Sequence, residues 1–154
     1  MGARLYSDLM DGLHAASLNR AESAAVIGGV VHRTTLIAER LVFLDDPDET
    51  RTSRGHVFVS ERAKFALYER LSAEGLSIVA TAHTHPGKWV GLSETDYENQ
   101  ISARVGVWSI IAPQFAASRP VHPRTLGAHI RMPEGWLSLG VDEIEQYLTV
   151  TTGS

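Results

Sequence analysis

The stretch LSIVATAHTHPGKWVGLSETD, residues 76–96, decides how the rest of the chain is read. Its first part, 76–83, is an apolar run that predicts a central strand. Side chains at i and i+2 of a strand share a face, so His83 and His85 at the strand's exit present two imidazoles to one point in space. Pro86 cannot continue a sheet, and the chain leaves the strand there. The loop then returns to a helix that opens near Ser93 and carries Asp96 in its first turn. Two neutral imidazole nitrogens and one carboxylate oxygen make a three-ligand site for Zn2+ whose open fourth position would hold water, the pattern of a catalytic rather than a structural zinc.

Just upstream, Ser60 predicts the N-cap of a helix with Phe65, Leu67 and Leu71 on its buried side, ending at Gly75, where glycine can adopt the left-handed conformation. Residues 22–31 and 35–43 suit buried strands joined by a turn at 32–34, and 56–59 reads as a short third strand. Leu5, Leu9, Met10 and Leu13 recur at helical spacing, so about the first 18 residues read as an amphipathic helix. Downstream, 106–112 reads as a strand, 126–132 as a weaker one and 141–148 as a terminal amphipathic helix. The clearest loops are 45–55 and 113–124, both rich in turn-forming and solvated residues. This order predicts an α/β fold, a mixed β-sheet flanked by helices, built as one domain over residues 1–154.

Composition narrows the function classes. The chain has 154 residues, 44% of them apolar, and a formal net charge of -4, which suit a single globular domain. Its longest apolar run, Ala24 to Val31, is eight residues, far short of the roughly 20 needed for a membrane span. Asp8 and Asp11 stand where a secretory signal needs positive charge, so no membrane and a cytoplasmic location are expected. With Cys 0, disulfides, thiolate zinc sites and cysteine nucleophiles are excluded, and catalysis must use oxygen or imidazole. A mildly acidic chain without a Lys/Arg run argues against nucleic acid as a partner.

A lone H-x-H is expected roughly 0.3 times by chance at this histidine content, and adding Ser93 and Asp96 at their spacing lowers the expectation to roughly one in a thousand. The pattern H-[ST]-H-P followed by S-x-x-D, with seven residues between the second His and the Ser, is complete here as His83, Thr84, His85, Pro86, Ser93 and Asp96. It resembles the signature of the JAB/MPN family of zinc metallopeptidases, also called JAMM. That family's pattern has an upstream Glu shortly before an apolar, glycine-containing strand. On the residues alone Glu22, Glu39, Glu49 and Glu61 all precede the His pair; the resemblance selects Glu22, which stands just before Ala24 to Gly29. Family members often carry a Pro before the Glu, a Cys soon after it and a Pro before the Ser. Here those neighbourhoods read Asn19-Arg20-Ala21, Ser23-Ala24-Ala25 and Leu92, a departure that bears on the shape of the loop 87–92 and not on any ligand.

The resemblance spans roughly residues 5–148 and implies an MPN/JAB (cytidine-deaminase-like) architecture, with His83, His85 and Asp96 as zinc ligands. It implies Glu22 as the base that takes a proton from the attacking water, and the Ser93 hydroxyl as a partner for the oxyanion. The implied reaction is hydrolysis of the amide after the C-terminal glycine of a ubiquitin-like protein, in deconjugation or precursor processing. The partner would be that protein or its conjugate, with a homodimer left open. Two other readings stay open: a non-catalytic scaffold of the same fold, and a carboxypeptidase-like enzyme trimming a sulfur-carrier protein. Ser93 to Asp96 also reads as a plain helix cap. Trp89 either lines a substrate channel or covers the sheet end, and His14, His32, His56, His122 and His129 read as structural or solvated. The arginines at 51, 54, 119 and 124 either meet an acidic partner or are merely solvated.

Overall fold

A computed structural model describes residues 1–152 of the protein. Along the chain the elements are α1 (Ala3–Ser17), β1 (Ala24–His32), β2 (Thr35–Phe43), β3 (Thr50–Thr52), β4 (Val57–Val59), α2 (Glu61–Ala73), β5 (Ser77–Thr84), α3 (Glu94–Glu98), β6 (Trp108–Ala112), β7 (Gly127–Met132), β8 (Gly135–Ser138) and α4 (Val141–Tyr147). Six strands form one sheet in the order β2-β1-β5-β6-β7-β8. The β5–β6 pair is parallel and the other pairs are antiparallel, so the sheet is mixed, with helices on both faces.

The apolar stripe of α1 buries Leu9, Met10 and Leu13 against Val79, Ala80, Ala82 and Ile110 on one face. Each such side chain contributes about 1.5–3 kcal/mol on leaving water. On the other face, Leu67 and Leu71 of α2 pack on Val26, Ile78 and Val107. Ser60 caps α2 by accepting from the Ala63 N–H at 3.1 Å, and Gly75 follows the helix with φ +73°. Phe65, expected on the buried side, is 64% exposed. It lies two residues, about 200° of helical rotation, from Leu67, and so faces away from the stripe.

The pairing of β1 with β5 carries one irregularity that sets where the histidines point. Ile27 pairs with Ala80 and Gly28 with Ile78, so Val79 is an extra residue in β5. The bulge puts both Val79 and Ala80 against α1, and the strand resumes its alternation from there. Ala82 and Thr84 therefore face α1 while Thr81 and His83 face the opposite side.

Other sequence expectations are corrected. The strand 35–43 is not buried: β2 is a sheet edge, and Val42 is its one buried residue. The loop 45–55 contains β3, which pairs with β4 in a separate two-stranded sheet. β8 was not legible as a strand because four residues after a turn carry too little period. The loop 113–124 holds two 3-10 turns, Gln114–Ala116 and Pro123–Thr125. Among the described residues no helix is long and apolar enough to cross a membrane.

Candidate metal centre

Pairing across β1 and β5 sets Ala24 opposite His83. Beyond it, the Thr84 N–H donates to the Ser23 carbonyl at 3.0 Å and the Ser23 N–H donates to Thr84 Oγ1 at 3.0 Å. Ser23 Oγ donates to the Leu13 carbonyl of α1 at 2.6 Å. Ser23 and Thr84 thus face α1, and alternation turns Glu22, His83 and His85 to the other side of the sheet. Glu22 is 3% exposed and its N–H donates to the Ser53 carbonyl at 2.7 Å.

His85 is held on every side. Its N–H donates to the Ala112 carbonyl and its carbonyl accepts from the Phe115 N–H, both at 2.9 Å. Its Nδ1 lies 3.0 Å from the Trp89 carbonyl. A carbonyl only accepts, so Nδ1 carries the proton, and in the neutral ring the Nε2 lone pair is left free. The Trp89 indole stacks on the same imidazole, with ring centroids 5.4 Å apart and planes 16° from parallel.

Asp96 reaches the pair from α3. Its Oδ1 is 3.3 Å from His83 Nε2 and its Oδ2 is 3.4 Å from His85 Nε2, while the two Nε2 atoms are 3.1 Å apart. Asp96 Oδ2 also accepts from the Ser93 N–H at 2.7 Å, and Ser93 Oγ accepts from the Asp96 N–H at 3.1 Å. The two readings of S-x-x-D are therefore one structure: the capping box that starts α3 also turns the carboxylate toward the imidazoles. The cap uses Ser93 Oγ as an acceptor, which leaves the hydroxyl proton free.

Glu22 completes the group. One ligand-type atom from each of Glu22, His83, His85 and Asp96 lies within 4.8 Å of the others. The three alternative glutamates do not join them: Glu49 binds the Ser60 hydroxyl and Arg62, Glu61 pairs with Lys64, and Glu39 is exposed on β2. Burial pushes the Glu22 carboxyl up to about 7, with Asp96 adding to the rise and His85 opposing it. Burial also works against ionisation of Asp96, but hydrogen bonds from His83, His85 and the Ser93 N–H outweigh it and hold the carboxyl well below the usual range. At His85 burial disfavours the cation, and the bonds to Asp96 and the Trp89 carbonyl outweigh it, raising its pKa.

The donor set fits a zinc ion. Ligand atoms about 2.0–2.2 Å from a tetrahedral zinc stand about 3.3–3.6 Å from one another; here the two Nε2 atoms are slightly closer, at 3.1 Å, and Asp96 stands 3.3 Å from one by Oδ1 and 3.4 Å from the other by Oδ2. Glu22 Oε2 is buried with no hydrogen-bond partner, an arrangement that costs free energy unless something else uses the oxygen.

His129, read as structural or solvated, is structural and shapes the loop between the ligands. It is 4% exposed, with Nε2 3.0 Å from the Val90 carbonyl and Nδ1 2.8 Å from Ser138 Oγ. A Cβ on Gly127 would overlap the same Val90 carbonyl, so only glycine lets the loop approach β7 this closely. Nothing at ligand spacing in the sequence marks His129, because its partners come from a loop and from β8, a strand with no period of its own. The arginines singled out in the loops have partners within the chain: Arg51 lies over Phe58, Arg54 over Phe115, and Arg119 and Arg124 pair with Asp11 and Glu145.

Fold and site together define a mixed α/β domain with a candidate metal centre at the carboxyl end of its central strand. No protein-family model matches the chain. Among solved structures it is similar to a protein from Desulfitobacterium hafniense, at 17% identity over 86% of each chain with a TM-score of 0.62. It is also similar to a protein from Salinibacter ruber, at 17% identity over 96% of this chain and 89% of that one, with a TM-score of 0.54. A JAB1/MPN domain protein from Archaeoglobus fulgidus matches at 20% identity over 87% of this chain and 94% of that one, with a TM-score of 0.46. At these identities the first two likenesses are likenesses of fold.

Proposed function

We infer that the chain is a zinc-dependent peptidase or isopeptidase of the JAB/MPN type, hydrolysing the amide after the C-terminal glycine of a ubiquitin-like protein. The observation that carries this reading is the convergence of Glu22, His83, His85 and Asp96 from three separate segments onto one point, joined to the complete H-T-H-P and S-x-x-D pattern.

His83, His85 and Asp96 would hold the zinc, with Glu22 beside them and its Oε2 without a hydrogen-bond partner. Zinc, when bound, supplies Lewis acidity, polarising a carbonyl oxygen and acidifying water to a pKa of about 7. Glu22 takes the proton from the attacking water and returns it to the departing amine. Its burial keeps bulk water from competing for that proton. The Ser93 hydroxyl, whose proton the cap leaves unused, donates to the oxyanion as it forms. The Trp89 carbonyl fixes the His85 tautomer, and the capping box fixes the Asp96 rotamer, so neither ligand must reorganise during turnover.

The test is hydrolysis of linear and isopeptide-linked fusions of candidate ubiquitin-like proteins, alongside zinc content by plasma mass spectrometry. Expected are one zinc per chain in the wild type, turnover, and loss of turnover in Glu22→Gln with zinc retained. A wild type that stays empty when zinc is supplied overturns the hydrolase reading in favour of the scaffold.

A further inference from the structure

The His85 backbone is held by Ala112 and Phe115, but its ring is oriented through one carbonyl, that of Trp89, 3.0 Å from Nδ1. Trp89 sits in a loop with few ties. Among the described residues, 88–91 make two hydrogen bonds to the rest of the chain: Trp89 to His85, and the Val90 carbonyl to His129 Nε2 at 3.0 Å. Where the Trp89 carbonyl stands therefore depends on what holds Val90. The Trp89 indole stacks on His85 and lies so close over Gly91 that a Cβ there would meet its Cζ2 at 2.5 Å, so a shift of the loop's carbonyls also moves the indole.

His129 holds Val90 from β7. A carbonyl only accepts, so His129 Nε2 carries a proton. Burial disfavours the cation and outweighs the bond to the Val90 carbonyl, lowering the ring's pKa. In the neutral ring Nδ1 is then an acceptor, and the Ser138 hydroxyl, 2.8 Å away, donates to it. Sheet register makes this pairing: Ser138 of β8 stands directly opposite His129, and directly opposite residues share a face. His129 is buried, whereas Ser138 is exposed on the outermost strand. Without the hydroxyl, Nδ1 becomes a buried acceptor with no donor. The ring is then held at one nitrogen instead of two, and rotation about its Cβ–Cγ bond carries Nε2 away from Val90.

We propose that Ser138 is a positioning residue for His85: acting through His129, its hydroxyl holds the 88–91 loop where the Trp89 carbonyl orients the imidazole toward the metal. That His85 is a ligand rests on the hydrolase reading; the chain of bonds from Ser138 to Trp89 does not. A serine on the sheet's outer edge, touching none of the four residues of the cluster, thus sets how tightly the centre holds its ion. Partners that fix a ligand imidazole's proton and orientation commonly matter to metal affinity in this way.

The test compares Ser138→Val with Ser138→Thr, two side chains of the same shape of which only threonine keeps the hydroxyl; the position is exposed and both suit a strand. Zinc affinity is measured by competition with a calibrated chelator. The indole N–H signal of Trp89, assigned by its absence from Trp89→Phe, is followed in metal-free, 15N-labelled protein. Ser138→Val is expected to bind zinc about tenfold more weakly, the low end of the cost of losing a ligand's supporting hydrogen bond, and to displace the Trp89 signal. Ser138→Thr is expected to match the wild type in both. A bond that merely stabilises the fold would lower the unfolding midpoint of Ser138→Val and leave affinity and signal alone, which overturns the assignment. So does zinc weakened without displacement of Trp89, Trp89 displaced at unchanged affinity, or a Ser138→Thr as weak as Ser138→Val. A wild type that takes up no zinc overturns the hydrolase reading instead; the Trp89 signal alone then decides the chain of bonds, which stands if Ser138→Val displaces it and falls if it does not.

Discussion

Glu22 illustrates how much a single residue's environment decides. In the metal-free protein its carboxyl is pushed up to about 7 because it is buried, against 4.5 when unfolded, so the folded state holds the proton more tightly. Stability from this group is full below about 4.5 and is lost as pH rises through about 7. His85, raised as well, contributes in the same sense: its stabilisation is present below 6.5 and fades as pH rises. Asp96 works oppositely, but only below its unfolded value of 3.8. The chelated protein should therefore lose stability from about pH 5 to about pH 8, by up to about 1.4 kcal/mol per pH unit for each proton released. Glu22→Gln should be more stable at about pH 8 and show a shallower slope, as read by denaturant unfolding across that range; an unchanged slope would place the titration elsewhere. The candidate ligands His83, His85 and Asp96 were legible from spacing because i, i+2 on a strand and the first turn of a helix are local geometry. Glu22 was legible only through the family resemblance, since four glutamates precede the pair and only the β1–β5 register, a contact between segments some 60 residues apart in sequence, brings Glu22 and none of the other three to the cluster.

At the scale of elements, the site depends on pieces that sequence period describes poorly. The Val79 bulge re-phases β5, so strict alternation counted from Ile78 would put His83 on the α1 face, where it is not. The loop from Gly87 to Leu92 has Leu92 just before Ser93, where the JAB/MPN pattern it resembles often has a proline. It is shaped instead by two carbonyl contacts, Trp89 to His85 and Val90 to His129, and by the absence of a side chain at Gly127. Gly127→Ala must push the Val90 carbonyl outward, breaking its bond to His129 and disturbing the Trp89 carbonyl one residue away. The expected result is a folded protein destabilised by about 1–3 kcal/mol, with zinc affinity reduced about 10–100-fold, the scale typical of lost outer-shell support. Competition with a calibrated chelator measures the second effect; undiminished affinity would show that the loop moves without its ligand. Ser93→Ala should remove the α3 cap at a cost of about 1 kcal/mol. If the same hydroxyl also serves the oxyanion as proposed, the variant should lower turnover of a linear ubiquitin-like fusion while zinc content stays at the wild-type level.

For the whole molecule, the order of elements was readable because each long one carries its own period, as α1 does in Leu9, Met10 and Leu13. What escaped was set by neighbours: β2 reads as apolar yet is an edge, and β8 is a strand only because β7 offers a partner. The centre joins the start of β1, the exit of β5 and the start of α3, three segments distant in sequence, so an ion there acts as a cross-link on the folded state alone. At free zinc about 1,000 times the dissociation constant this linkage contributes about 4 kcal/mol. In a chain of this size that is about 8–16 °C in the unfolding midpoint. His83→Ala and Asp96→Ala each remove a ligand and should unfold at the same temperature with or without zinc. Glu22→Gln, which keeps all three ligands, should retain most of the zinc-dependent rise. Wild type and the three variants, melted with and without added zinc, thus separate ligand from base without any substrate. A full zinc response in His83→Ala or Asp96→Ala would remove that residue from the ligand set, whereas loss of the response in Glu22→Gln would make Glu22 a ligand instead of a base.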